Sequence, residues 1–195
     1  MNSGLTVRSA RTIVAAYDFG PSTVVTERSI ETSIMRAEEL HDPAYLATSE
    51  ETIGINLLGT IRTITAFTPY LLTQPDPAIL TVSSGLAFVP LVLTPTYNAT
   101  KAAIHSYTQS LRTQLADTPL QVIELVPPAV RTALINQENN ERAMPLDEYL
   151  DETMSLSLLQ QPGADEILVD RVHFLRDAER ENRYDQVIGI LNSVA

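Results

Sequence analysis

Lys101 is the only lysine among 195 residues, and it stands four positions after Tyr97. On a helix, that spacing sets a phenol and an ammonium side by side on one face. With seven tyrosines in the chain, chance places a sole lysine four residues after one of them only roughly 4 times in 100. The chemistry such a pair could support is acid–base; the plain alternative is a surface pair. Ser84 adds weight to the first reading, because it follows the apolar run 78–82 and so falls at the mouth of a predicted strand, where the C-terminal ends of parallel strands gather ligands. Other chemistries find less support. His41, His105 and His173 are far apart and none sits in a His-Glu-x-x-His pattern, so no metal site is expected. The absence of cysteine rules out disulfides, thiolate metal sites and a thiol nucleophile, and fits a reducing compartment. A serine hydrolase is a distant possibility, since Gly-x-Ser-x-Gly does not occur around Ser84.

The elements that must position these residues read as alternating strand and helix. Thr48 with Glu51 has the pattern of a capping box, and Ile53, Leu57, Ile61, Ile64 and Leu71 recur at helical spacing, which predicts a long helix over 48–72 that can bend at Pro69. Gly54 and Gly59 within it each cost about 1 kcal/mol relative to alanine, so close packing against a neighbour is the expected compensation. The run 78–82 is apolar on both faces, as in a buried parallel strand, and ends at Ser83-Ser84-Gly85. A second helix is predicted over 97–115, with Pro119 beyond its end, and a further buried strand over 120–126, stopped by Pro127-Pro128. Strand, helix, strand in this order implies a crossover in a parallel sheet.

The flanks are less regular. Residues 1–33 offer the short apolar runs 13–17 and 24–25 around Asp18-Phe19-Gly20-Pro21, and two short strands would fit them. Residues 133–160 are polar around Asn136-Gln137-Glu138-Asn139-Asn140, which predicts a mobile flap with a short helix from Leu146. Ile167, Leu168, Val172, Leu175 and Ala178 describe an amphipathic helix covering the sheet edge.

A single α/β domain suits this length and a 44% hydrophobic content. No apolar stretch reaches the roughly 18 residues of a membrane span, so a soluble, cytoplasmic protein is expected. The net charge of −11 is concentrated late, with thirteen acidic and five basic side chains in residues 137–195. Nucleic acid and anionic membrane are therefore poor partners, and the bland reading of the acidity is a solvated face.

Four ordered motifs resemble one family. Ser83-Ser84-Gly85, thirteen residues from Ser84 to Tyr97, and Tyr97-Asn98-Ala99-Thr100-Lys101 look like the active-site signature of the short-chain dehydrogenase/reductase family. Ile55-Asn56-Leu57-Leu58-Gly59 is similar to that family's helix asparagine, and Val126-Pro127-Pro128-Ala129-Val130-Arg131-Thr132 to its proline-led cofactor loop, with proline where glycine is more usual. The likeness runs from about Ile34 to the C-terminus, leaving 1–33 unmatched. Ile34-Met35-Arg36-Ala37-Glu38 and Asn182-Arg183-Tyr184-Asp185 look closest to its DltE-like branch.

The resemblance implies a Rossmann-like parallel sheet flanked by helices, and an NAD- or NADP-dependent oxidoreductase acting on a small alcohol or carbonyl compound. It implies that Tyr97 transfers the proton to or from the substrate oxygen. Lys101 would favour the phenolate, lowering the tyrosine pKa from about 10, and bond the cofactor ribose. Ser84 would polarise the carbonyl, Asn56 seat a relay water, and Pro127, Val130 and Thr132 meet the nicotinamide end. Plain structural roles are a strand-end cap for Ser84, a helix-interior bond for Asn56 and a turn hydroxyl for Thr132.

One family feature is missing. No Thr-Gly-x-x-x-Gly-x-Gly turn occurs, nor the Asn-Asn-Ala-Gly stretch expected before Ile34, where Glu31-Thr32-Ser33 stands instead. The predicted sheet is therefore a truncated one, and the run 12–17 is the segment available to pair beside the strand at 78–82. The competing function is a non-catalytic interaction or dimerisation module, self-associating through the two long helices, 49–72 and 97–115.

Overall fold

The computed structural model describes residues 13–14, 33–75, 77–156 and 163–193. Four parallel strands form one sheet in chain order: β1 (Ile13–Val14), β2 (Ala78–Val82), β3 (Gln121–Leu125) and β4 (Glu166–Ile167). The two central strands pair in register from Ala78↔Gln121 to Val82↔Leu125. Continuous apolar character made β2 legible, and four of its five residues are buried. The edge beside it is covered by β1, with Ile13 opposite Ala78 and Val14 opposite Ile79, so the segment expected to pair there does so. The rest of 1–32 lies outside the described residues.

Helices connect and flank the strands. A continuous helical run begins with α1 (Tyr45–Thr52), passes through a π-helical stretch (Ile53–Gly59) and continues as α2 (Thr60–Leu71), with Pro69 inside it. The capping box expected at Thr48 is not the helix start. Thr48 already lies inside α1, where its carbonyl accepts the Thr52 hydroxyl, and the chain is turned into the helix by Asp42, whose Oδ1 accepts the Ala44 N–H at 2.9 Å. The expected packing against Gly54 and Gly59 is also overturned. A Cβ at Gly54 would meet nothing within 4 Å, and at Gly59 only the Gly54 carbonyl at 3.6 Å. Both glycines belong to the π stretch, whose wider turn replaces the ordinary helical repeat.

After β2, α3 (Pro95–Gln114) returns the chain to β3, completing a strand–helix–strand unit. The helix starts two residues before Tyr97 because Pro95 takes its first turn, where a missing N–H costs nothing. Tyr97, Lys101, Ile104 and Thr108 are buried, a stripe at helical spacing turned toward the sheet. On this side Ile64, Leu71, Ile79 and Leu120 form one core cluster.

Beyond β3 come a 3₁₀ turn (Leu134–Asn136), α4 (Leu146–Ser155), β4, a second 3₁₀ turn (Asp170–Val172), α5 (His173–Arg176) and α6 (Tyr184–Asn192). In the stretch where a mobile flap was expected, residues 138–142 are exposed and the segment after them is anchored. Ala143 and Met144 are fully buried, Val130 bridges Met144, and Tyr149 is 2% exposed. A helix from Ile167 was expected, but Glu166 and Ile167 form β4, paired with Glu124 and Leu125, and helical bonding starts only at Asp170. The pairing is made by backbone bonds to β3, Glu124 N–H to Asp165 O at 2.9 Å and Val126 N–H to Ile167 O at 3.2 Å, and both Glu166 oxygens accept from Arg176, each at 2.9 Å. The Arg176 guanidinium also lies 4.3 Å over the Phe88 ring. Helix α6, which the apolar pattern did not suggest, buries Val187 against Val89 and Leu175. No helix among the described residues is long and apolar enough to cross a membrane.

Candidate active site

The segment after β2 is tied to the end of β3 and to the loop beyond it by two backbone bonds, Ser83 N–H to Leu125 O at 3.0 Å and Gly85 N–H to Pro127 O at 2.9 Å. This brings the serine pair and the proline loop together. Gly85 sits in close quarters: a Cβ there would come within 2.8 Å of Leu175 Cδ1 and 3.1 Å of Val172 Cγ2, so the side chains packed on it would have to shift. Ser84 is extended, and its Oγ accepts the Leu86 N–H at 3.1 Å, so the strand-end cap foreseen as its plain role is made. Ser83, which spacing did not single out, has a buried hydroxyl with no hydrogen-bond partner. A buried hydroxyl costs free energy unless something satisfies it, and Ser83 lines the cavity described below.

Tyr97 and Lys101 enter from the first turns of α3 and are 6% and 4% exposed, which excludes the surface-pair alternative. The Lys101 ammonium lies 5.4 Å from the Tyr97 ring centre and donates to the Val82 carbonyl at 3.0 Å. It is thereby anchored to the end of β2. Asn56, in the middle of the π stretch, clamps the backbone of Ile34 in both directions: its Oδ1 accepts the Ile34 N–H and its Nδ2 donates to the Ile34 carbonyl, each at 2.8 Å. The Asn56 amide also reaches Thr100 Oγ1 at 3.3 Å, and that hydroxyl donates to the Tyr97 carbonyl at 2.7 Å. The side chain of Asn56 therefore ties the segment at Ile34 to the helix of Tyr97 and Lys101.

The loop after β3 forms the facing wall. Met144 N–H donates to Ala129 O at 2.8 Å and Arg131 N–H to Met144 O at 2.9 Å, holding Val130 against the 143–144 segment. Thr132 Oγ1 accepts the Leu134 N–H at 3.4 Å, as its turn-hydroxyl role foresaw. Ile135 has φ of 52°, a left-handed conformation that a β-branched residue adopts only under strain. Between the walls lies a cavity of about 910 Å³, lined in part by Ser83, Ser84, Tyr97, Pro127, Val130 and Thr132. Of the residues singled out by sequence, Asn56 and Lys101 stand outside that lining and the other five share it.

Elsewhere, His105, Glu124 and Glu166 offer ligand atoms within 4.8 Å of one another. The group is already satisfied internally. Glu124, fully buried, is met by His105 Nδ1 at 2.9 Å, and Arg176 holds Glu166.

A family model for short chain dehydrogenase matches residues 33–143. The chain belongs to the short-chain dehydrogenase family. Its similarity to the uncharacterized oxidoreductase DltE of Bacillus subtilis strain 168 is 42% identity over 147 residues, covering 72% of this chain and 56% of DltE. The chain thus spans about half the length of that curated relative. A short-chain dehydrogenase from Burkholderia cenocepacia J2315, solved in complex with NADP, superposes with a TM-score of 0.67 at 24% identity, over 82% of this chain and 66% of that one. An alcohol dehydrogenase from the archaeon Thermococcus sibiricus, complexed with 5-hydroxy-NADP, gives 0.62 at 19% identity, over 80% and 61%. These two likenesses establish the Rossmann-like fold.

The short-chain dehydrogenase setting allows a test of cofactor fit. On the side where the resemblance would seat the nicotinamide, an unsatisfied buried serine hydroxyl and Pro127, Val130 and Thr132 share the cavity with Tyr97. For the pyrophosphate, the 195 residues contain no glycine-rich turn of the family type.

Proposed function

We propose that this site performs hydride transfer between an alcohol or carbonyl substrate and NAD or NADP, with Tyr97 as general acid and base. The observation that carries this reading is the buried Tyr97–Lys101 pair at the mouth of β2, whose tyrosine lines one cavity with Ser84 while the lysine backs it. When bound, the nicotinamide supplies or accepts the hydride. Tyr97 gives its phenolic proton to the carbonyl oxygen in reduction and takes it back in oxidation. Ser84 polarises that oxygen, its hydroxyl proton being free to donate because the Leu86 bond uses only its lone pair. The Lys101 charge favours the phenolate form, and its bond to Val82 holds the ammonium in a low-dielectric position where that charge is felt. Asn56 acts through position, by fixing Thr100 and through it the first turn of α3.

The test is turnover of simple aldehydes and ketones with NADPH or NADH at millimolar concentrations, comparing the chain with Tyr97→Phe. The wild-type chain is expected to turn over, and the variant to lose activity by about 100-fold or more with its fold unchanged. Equal rates in the two proteins, or no turnover by the wild type, would overturn the proposal.

A further inference from the structure

The cavity has apolar wall beyond the side formed by Pro127, Val130 and Thr132. Leu86, Leu91, Leu134, Phe174, Leu175 and Leu191 are among its walls. Two polar atoms facing it, Ser83 Oγ and Gln137 Oε1, are buried and have no hydrogen-bond partner. Its charged lining residues are both cationic, Arg142 and Arg171, in a chain of net charge −11. Arg142 has no ion-pair partner among the described residues. Arg171 has one, Glu148 at 3.8 Å, with both side chains about half exposed.

Chain topology fixes where these cations stand. Arg142 precedes the 143–144 segment, which is bonded to the Val130 loop, and Arg171 lies in the 3₁₀ turn just before Phe174 and Leu175. Each thus stands on a framework that also supplies apolar wall. Guanidinium groups with weak or no carboxylate partners, set around an apolar space, favour a ligand that brings its own carboxylate, because the fork of N–H donors matches its two oxygens. An apolar body of medium length would cover the leucine and phenylalanine walls.

The geometry points to an amphipathic substrate: a carbonyl or alcohol on an apolar body, carrying a carboxylate received by Arg142 and Arg171. The reacting end rests on the oxidoreductase reading above; the anionic end rests on the cavity itself.

Calorimetric titration with decanoate and with decanol, the same chain length without the charge, tests the anionic end without requiring turnover. Decanoate is expected to bind at least about tenfold more tightly than decanol. The double variant Arg142→Met, Arg171→Met, which keeps the apolar stems, is expected to bring the two within about twofold. Raising salt from about 20 mM to about 500 mM on the wild type reads the same contribution should the variant lose its circular-dichroism signal, and the preference must fall. Equal affinities, no binding of either compound, or a preference surviving both variant and salt would overturn the inference. So would a double variant that loses NADPH binding while retaining the decanoate preference, since the arginines would then serve cofactor phosphates. The two readings fail separately: absent carbonyl turnover sinks the oxidoreductase assignment, whereas absent decanoate preference sinks this one.

Discussion

Glu38 caps the helix of Tyr97 across a separation of 58 residues, its Oε2 accepting the Thr96 backbone N–H at 2.9 Å. Its other oxygen accepts the Ser49 hydroxyl at 2.7 Å, and Ser49 Oγ lies 2.8 Å from Thr96 Oγ1. Helix α3 has no cap from its own N-terminal residue, so a carboxylate at its positive end is supplied from elsewhere. The carboxylate is buried, which makes its bonds costly to lose. Glu38→Ala is expected to lower the unfolding free energy by about 2 kcal/mol, and Glu38→Gln by about half as much. Urea denaturation measures both; a change below about 0.5 kcal/mol in the alanine variant would show that the helix does not depend on this cap.

Gly54 offers a prediction of the opposite sign. It lies inside a continuous helical run with nothing near its missing Cβ, so its conformational freedom in the unfolded chain is lost on folding without return. Gly54→Ala should therefore stabilise the protein by about 0.5–1 kcal/mol, seen as a higher thermal midpoint. A lowered midpoint would mean that the π stretch itself needs glycine at this position.

What was legible in the sequence divides along physical lines. Strand β2 was readable because both of its faces are buried, and β1 because a vacated edge needs a β-like run and residues 12–17 offered one. The pairing of Tyr97 with Lys101 was readable from local helical spacing. Contacts made across long separations were not. Nothing local in Glu38 points to Thr96, nothing in Asn56 to the Ile34 backbone, and Ser83 differs from Ser84 only in where the strand aims it. The helix misplaced onto Ile167 has a similar cause, since β4 is two residues long and its apolar pattern continues by accident into the following turn. What decides it is the free edge of β3, whose backbone pairs with 166–167 from far away in sequence.

The pairing of Glu166 with Arg176 makes acid stability testable. Burial pushes the Glu166 carboxyl up, but the twin hydrogen bonds and charge of Arg176, with His105 and Arg112 nearby, outweigh it and hold the group below its ordinary value. A carboxyl depressed in the folded state contributes stability that is present above its unfolded pKa and lost as pH falls through the folded one. Arg176→Met leaves burial without its compensation, so Glu166 no longer stabilises at neutral pH. A loss of about 2 kcal/mol is expected at about pH 7, narrowing below about pH 4 as Glu166 protonates in the variant and ceases to be a penalty. Urea unfolding of both proteins at the two pH values checks this. A gap that stays constant with pH would assign the loss to the Phe88 stacking instead.

Cofactor affinity is the remaining prediction, and it separates the two ends of the nicotinamide dinucleotide. In the proposed function the nicotinamide end meets Pro127, Val130 and Thr132, which line the cavity. The pyrophosphate carries two negative charges, which a glycine-rich turn would meet with a row of backbone N–H groups at a helix N-terminus, and these 195 residues contain no such turn. Arg8 and Arg11, the arginines of the N-terminal segment, lie outside the described residues. The net charge of −11 adds a field that repels the ligand. The chain is therefore expected to bind NADH or NADPH with a dissociation constant no tighter than about 1 mM, corresponding to roughly −4 kcal/mol. Fluorescence titration with each cofactor measures it. Micromolar binding would mean that some other part of these residues cradles the phosphates, and arginine substitutions at positions 142 and 171 would be the first place to look for it.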